Sequence, residues 1–239
     1  MKNLMKIVLT LLVCIILVGC GNTEKEETNN NTNNINDETK VTTIAESYAK
    51  YSELKSQMFE KLSDSIPDNN SMLPLTLLGF ASMDFIMVPI TMCGVKESEA
   101  AIFYSMYNNL KYTSNDNECT ITYSVEGKTN KFISLYDRNT DSVQTKFYED
   151  NKLIMISEYI KLDDGYGSQQ YMLDDDFGNS TSFRSIFRNE YIAVGFFENV
   201  TSEPTSLFKN KNLVNTEWTK GGSNWSEYDN GEFQTIPNE

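Results

Sequence analysis

The sequence predicts an α+β domain in which N-terminal helices cover an antiparallel up-and-down β-meander of about seven strands. Three observations predict it. Apolar residues recur at helical spacing between Thr43 and Ser63. From Cys119 the period switches to two and stays there until Glu198. The alternating runs are joined by very short Gly-, Asn- and Asp-rich connections, which only antiparallel neighbours can use.

The first helix spans about Thr43 to Ser63, opened by a Thr43-x-x-Glu46 capping box and closed by Pro67. Ile44, Tyr48, Tyr51, Leu54, Met58 and Leu62 form its apolar stripe. Residues 72–95 (MLPLTLLGFASMDFIMVPITMCGV) are the most apolar stretch after the leader. Asp84 in mid-run, Pro74, Pro89 and Gly79 argue for one or two buried helices rather than a membrane span. A further helix is expected from about Lys96 to Leu110, with Ala100, Phe103, Tyr104 and Tyr107 on one face. The meander starts with Ile121, Tyr123 and Val125 alternating with Thr120, Thr122 and Ser124. It continues through KFISLYD, SVQTKFYE, KLIMISEYIKL, YGSQQYML, SFRSIFR and EYIAVGFFE. Turns fall at Glu126-Gly127, Asp137 to Asp141, Asp150-Asn151, Asp163-Asp164-Gly165 and Arg188-Asn189. Phe132, Phe147 and Tyr159 mark the face that needs a helical cover. Ser206 to Val214 reads as a last strand, and Trp218 pins its end. The single domain is thus expected over 42–218, and 219–239, rich in Gly, Ser and Glu, as a flexible tail.

The chain opens MKNLMKIVLTLLVCIILVGCGN. Lys2 and Lys6 form a cationic segment, and Ile7 to Leu17 an apolar one too short for the roughly 20 residues of a transmembrane helix. Leu17-Val18-Gly19-Cys20 then resembles the lipobox of bacterial lipoprotein precursors. That resemblance implies a signal peptide over 1–19, cleavage between Gly19 and Cys20, and a thioether-linked diacylglycerol on Cys20. It places the protein on the outer face of the bacterial cytoplasmic membrane, held through its lipid. Buried acyl chains contribute about 0.8 kcal/mol per CH₂, and two or more chains hold a protein stably. Residues 20–41 are dominated by Asn, Thr and Glu and are expected to form a lipidated disordered tether. The order of helices followed by a meander is similar to the layout of LolA-type lipoprotein carriers, in which a curved sheet cups acyl chains. The similarity is one of element order, with no motif matched, so no residue's role is carried over from it.

Composition excludes much. The chain has no His, which removes Ser-His-Asp and Cys-His catalysis and the common zinc and haem ligation schemes. A formal net charge of -14 argues against nucleic-acid partners and against docking on anionic lipid headgroups. No cofactor and no metal is expected.

After the leader and anchor, two cysteines remain, Cys93 and Cys119. Export permits a disulfide between them, and the sequence leaves bridged and unbridged thiols both open. Ser52-Glu53-Leu54-Lys55 and Ser206-Leu207-Phe208-Lys209 match S-x-x-K, but the companion S-D-N and K-T-G elements are absent and Lys220-Gly221-Gly222 is the nearest approach to the latter. If the hairpin turns at Asp164, then Asp176 falls opposite Lys152, and Asp174, Asp175 and Asp176 gather with Glu149, Asp150 and Asn151 at one sheet end. Asp137, Asp141, Asp163 and Asp164 gather at the other. Such carboxylates can bind Ca²⁺, and Asp137-x-Asn139-x-Asp141 begins like an EF-hand loop, but Ser142 stands where Gly is required and Tyr148 where Glu is. Solvated turns are the simpler reading. Paired carboxylates also serve glycosidases, yet nothing in the sequence sets their separation. The strand aromatics read as core first and as a ligand pocket second; an exposed Trp225 would mark a partner contact. These observations predict a non-enzymatic, lipid-anchored binding or structural module with no assigned catalytic residue. The alternatives are a carrier of an apolar ligand and a His-free hydrolase.

Overall fold

The computed structural model describes residues 43–66, 86–94, 104–105, 107–173 and 180–237. The leader, the tether, Asp174 to Asp176, and most of the 72–95 and 96–107 stretches lie outside the described residues.

Helix α1 spans Ile44–Ser65. Its start is set by the predicted capping box: Thr43 Oγ1 accepts from the Glu46 amide at 3.1 Å, and the Glu46 carboxylate accepts from the Thr43 amide at 3.1 Å. A third N-terminal amide, that of Ala45, donates to the Cys93 carbonyl at 3.1 Å. The helix ends at Ile66, whose extended backbone is the conformation that a residue before proline favours. Ile44, Tyr48, Tyr51, Met58, Phe59 and Leu62 are buried in the main core.

In the described part of the 72–95 stretch, Ile86 and Met87 are helical and lead into a 3-10 turn at Val88–Met92. Pro89 sits in its first turn, where its missing N–H costs nothing, and Gly94 at φ 94° ends the segment. The expected helix at 96–110 is corrected at its end, because Asn108–Ser114 is a strand.

The sheet has ten antiparallel strands in sequential order, not about seven. They are β1 (Asn108–Ser114), β2 (Glu118–Val125), β3 (Lys128–Asp137), β4 (Ser142–Glu149), β5 (Lys152–Lys161), β6 (Gly165–Met172), β7 (Thr181–Arg188), β8 (Tyr191–Phe197), β9 (Asn224–Asp229) and β10 (Glu232–Pro237). The seven predicted strands correspond to β2 through β8. The additions are β1 at one edge and the β9–β10 hairpin at the other. That hairpin occupies the segment expected to be a flexible tail. It closes on Asn230-Gly231, both with positive φ, the geometry of a two-residue primed turn. Glu126-Gly127 and Asp150-Asn151 turn in the same way.

The β5–β6 hairpin closes on Asp163 and Asp164 together, since the Leu162 amide donates to the Gly165 carbonyl. The register is therefore one residue from the expected one: Met155 lies opposite Met172 rather than Leu173, while Asp176, expected opposite Lys152, lies outside the described residues. Phe132, Phe147 and Tyr159 do share the inner face, where Ile121, Phe132, Phe147 and Met155 form one continuous row across β2–β5. Helix α1 packs on that face against β7, β8, β9 and β10.

Residues 199–223 form a strap across the opposite, outer face. Ser206 to Val214 belong to this strap and not to a strand; only a 3-10 turn at Lys211–Leu213 and the short helix α2 (Thr216–Thr219) are regular. Leu207 and Val214 bury against Ile160, Leu162 and Ile186, with Leu213, Tyr191 and Trp218 packed alongside. Two strand glycines make room for it. A Cβ on Gly167 would meet the Val214 side chain at 2.6 Å, and one on Gly195 would meet the Thr219 carbonyl at 1.8 Å. Helix, sheet and strap thus form three layers, with apolar cores on both faces of the sheet.

Candidate functional site

Two polar constellations interrupt these cores. The first lies at the start of α1. Ser47, fully buried, donates from its hydroxyl to Asp141 Oδ1 at 2.6 Å and accepts from the Tyr159 hydroxyl at 3.1 Å. Tyr136 donates to the same Asp141 oxygen at 3.2 Å. Tyr51 stacks on Tyr159 with ring centroids 4.4 Å apart, and Tyr166 meets both edge-on. Burial, and then the negative charge of Asp141, hold the Tyr136 and Tyr166 phenols above their ordinary pKa; burial does the same to Tyr159 despite its hydrogen bond to Ser47. These phenols stay neutral, Tyr136 and Tyr159 donate, and through Ser47 the cluster fastens α1 to the sheet.

The second lies on the outer face. Glu158, in mid-β5, is 2% exposed, yet its carboxylate accepts four hydrogen bonds. Gln144 Nε2 and Ser206 Oγ reach Oε1, each at 2.5 Å. Gln169 Nε2 at 3.1 Å and the Leu207 amide at 2.9 Å reach Oε2. Gln169 Nε2 also donates to the Thr205 carbonyl at 3.1 Å. A buried carboxylate so surrounded has its charge spread over donors without a cation. Arg184, farther along the same face, donates from Nη1 to the Trp218 carbonyl at 3.2 Å, and its guanidinium lies 4.2 Å from the Phe197 ring centre. Burial lowers its pKa from the usual arginine value.

On the inner face a polar row runs Ser134–Thr145–Ser157–Gln170 through directly opposed positions of β3–β6. All four are buried; Ser134 and Thr145 share a hydrogen bond at 2.9 Å, while Gln170 Oε1 has no partner. Phe132, Phe147 and Met155 flank this row.

The sequence-derived candidates separate clearly. Gly19 and Cys20 lie outside the described residues. Cys93 and Cys119 are joined in a disulfide that ties the 3-10 turn to β2, with Cα atoms 5.6 Å apart. Ser52 and Lys55 are each 2% exposed on α1, and the Lys55 ammonium lies over the Tyr51 and Phe59 rings. Ser206 is bound to Glu158, while Lys209 pairs with Asp137 at 3.1 Å, so this second S-x-x-K pair is split between two carboxylates.

Asp137 Oδ1 accepts from the Asn139 amide and from both the amide and hydroxyl of Thr140. Desolvation pushes its pKa up, but the hydrogen bonds from Lys209 and Thr140 outweigh that and hold the carboxyl below its ordinary value. Asp163 faces Lys211 at 3.5 Å and Asp164 faces Arg188 at 3.2 Å. Among the described residues no three metal-ligating side chains gather closely enough to hold an ion. Trp225, a partner contact only if exposed, is 4% exposed and donates from Nε1 to Thr219 Oγ1 at 2.9 Å, because β9 turns it under the strap.

The sequence reading missed Ser47, Glu158, Gln169 and Arg184. One signal was present for Glu158: KLIMISEYIKL is apolar at both parities, so both faces of that strand are covered and a carboxylate within it is buried.

No family model, no curated protein and no solved structure matches this chain.

Proposed function

We propose that the chain is a lipid-anchored extracytoplasmic protein of the bacterial envelope that works by binding or structural interaction rather than by catalysis. The observation that carries this reading is the succession of segments in the leader sequence: Lys2 and Lys6, the apolar run Ile7 to Leu17, then Leu17-Val18-Gly19-Cys20. Two features of the domain support it. A disulfide between Cys93 and Cys119 suits an oxidising compartment. Of the groups considered for chemistry, Asp141, Ser206, Lys209 and Asp137 are engaged in fastening α1, the turns and the strap. The test is the intact mass of protein recovered from its native host. Loss of residues 1–19 together with acyl mass on Cys20 supports the proposal; Met1 in place, or a bare thiol at position 20, refutes it.

A second reading, an apolar-ligand carrier, is favoured by one observation, the inner polar row ending at the unpaired Gln170 Oε1 amid aromatic and methionine side chains. Native mass spectrometry of the full chain tests it. Copurifying lipid beyond the covalent anchor supports a carrier, and its consistent absence after expression in the host opposes one.

A further inference from the structure

Register places four outer-facing polar side chains in one row across β4–β7: Gln144 opposite Glu158, Glu158 opposite Gln169, and Gln169 opposite Arg184. The first three are hydrogen-bonded in sequence, both glutamines donating to the carboxylate. The last step is open. Gln169 Oε1 and Arg184 Nε are both buried, and neither has a protein partner. Ser182 Oγ, two residues along β7 and therefore on the same face, is buried and equally unpaired. The orientation of the Gln169 amide is not arbitrary, because its nitrogen faces two acceptors, Glu158 Oε2 and the Thr205 carbonyl.

An acceptor and a donor thus stem from directly opposed positions beneath the strap, with a hydroxyl two residues along the same strand and face. Directly opposed side chains in an antiparallel pair start from Cβ atoms about 5 Å apart. Three such groups left unpaired in a dry interior cost far more than holding one water. The chemistry of the groups selects the occupant. An anion would face the lone pairs of Gln169 Oε1 with the Glu158 carboxylate beyond it. A cation would face Arg184, and an apolar group would satisfy none of the three.

We propose that a single internal water occupies this site, donating to Gln169 Oε1, accepting from Arg184 Nε and bonding to Ser182 Oγ. It completes a relay from the Glu158 carboxylate through Gln169 to the Arg184 guanidinium, two strands and about 10 Å away. The relay links the buried Glu158 carboxylate to the half-buried Arg184 guanidinium. Its ends are also the points that hold the strap: Glu158 takes Ser206 and Leu207, and Arg184 takes the Trp218 carbonyl. The water therefore couples the two attachments of the strap.

The full chain contains only three arginines, at 138, 184 and 188, so labelling Arg Nε with ¹⁵N gives three assignable signals. Arg184 is identified by the signal lost in Arg184→Lys. A cross-peak from its Hε to a long-lived bound water is expected in the wild type and should vanish in Gln169→Met. Contact with Gln169 side-chain protons alone, or with bulk solvent alone, overturns the site. A second measurement needs no assignment. Unfolding equilibria of Glu158→Gln, Arg184→Met and the double variant should be non-additive, the double falling short of the product of the singles by about fivefold or more. Equality with that product overturns the relay. If Arg184→Met does not fold, Arg184→Lys takes its place in the cycle.

Discussion

The Ser47 hydroxyl lies 2.6 Å from the Asp141 carboxylate although 94 residues separate them in the chain, and this bond fastens the first turn of α1 to the β3–β4 turn. The same hydroxyl accepts from Tyr159, so one small side chain joins the helix to a turn and to β5. Ser47→Ala removes both bonds and leaves the Tyr159 hydroxyl buried without an acceptor. The expected cost is about 1–3 kcal/mol. It should be read as a lower urea midpoint at unchanged slope, and a midpoint equal to that of the wild type would show that the bond is not needed.

The phenols around Asp141 make stability sensitive to alkali. In the unfolded chain tyrosines lose their protons near pH 10. In the folded protein burial holds Tyr136, Tyr159 and Tyr166 above that value and pushes Tyr123 and Tyr191 up to about 12. The folded state therefore keeps protons that the unfolded state releases, and stability falls as pH rises above about 10. Below that pH these groups contribute their full effect. The part of the phenolate absorbance due to these five tyrosines should appear together with loss of near-ultraviolet circular dichroism in one cooperative step. Phenolate formation by all thirteen tyrosines near pH 10 in still-folded protein would contradict this.

The Cys93–Cys119 bridge holds the segment whose carbonyl caps Ala45 and whose Gly94 packs against Thr43. Its removal should be felt at the N-terminus of α1, not only at β2. For a separation of 26 residues the chain-entropy account gives about 3.5 kcal/mol. The double variant Cys93→Ser, Cys119→Ser should lose about that much and show faster amide exchange at Ala45 than at mid-strand positions of β4. Equal acceleration at both sites would mean that the bridge acts on the unfolded chain alone.

The same contrast between local signal and long-range pairing explains what the sequence revealed. Thr43 and Glu46 are three residues apart, and their capping box forms as expected. Strands β2 to β8 were legible because alternation and primed turns are local. The β9–β10 hairpin carried a signal too, Asn230-Gly231, but a Gly- and Ser-rich composition masked it. Ser206 to Val214 carries its apolar residues as two pairs, Leu207-Phe208 and Leu213-Val214, without alternation, and it packs as a strap, Val214 against the strand glycine Gly167. The row from Gln144 to Arg184 was not legible. It exists only once three hairpin registers are set, and the β5–β6 register turns on whether the bend centres on Asp164 or on Asp163 and Asp164 together.

Glu158 provides the sharpest test of the strap. Its carboxylate accepts from Gln144, Gln169, Ser206 and the Leu207 amide, and so gathers donors from β4, β6 and the strap. Glu158→Ala leaves several buried donors unpaired, a loss of about 3 kcal/mol or more. Because two of these donors belong to the strap, the damage should be local before it is global. Protease cleavage and amide exchange within 199–219 should accelerate well beyond the change in β3 and β4. Gly195→Ala should have a related effect by a different route, since its Cβ would sit 1.8 Å from the Thr219 carbonyl and push the strap outward without touching the carboxylate. If both variants open 199–219 while the disulfide variant does not, the strap is held by the outer face alone. If Glu158→Ala instead loosens every strand equally, the carboxylate supports the sheet rather than the strap.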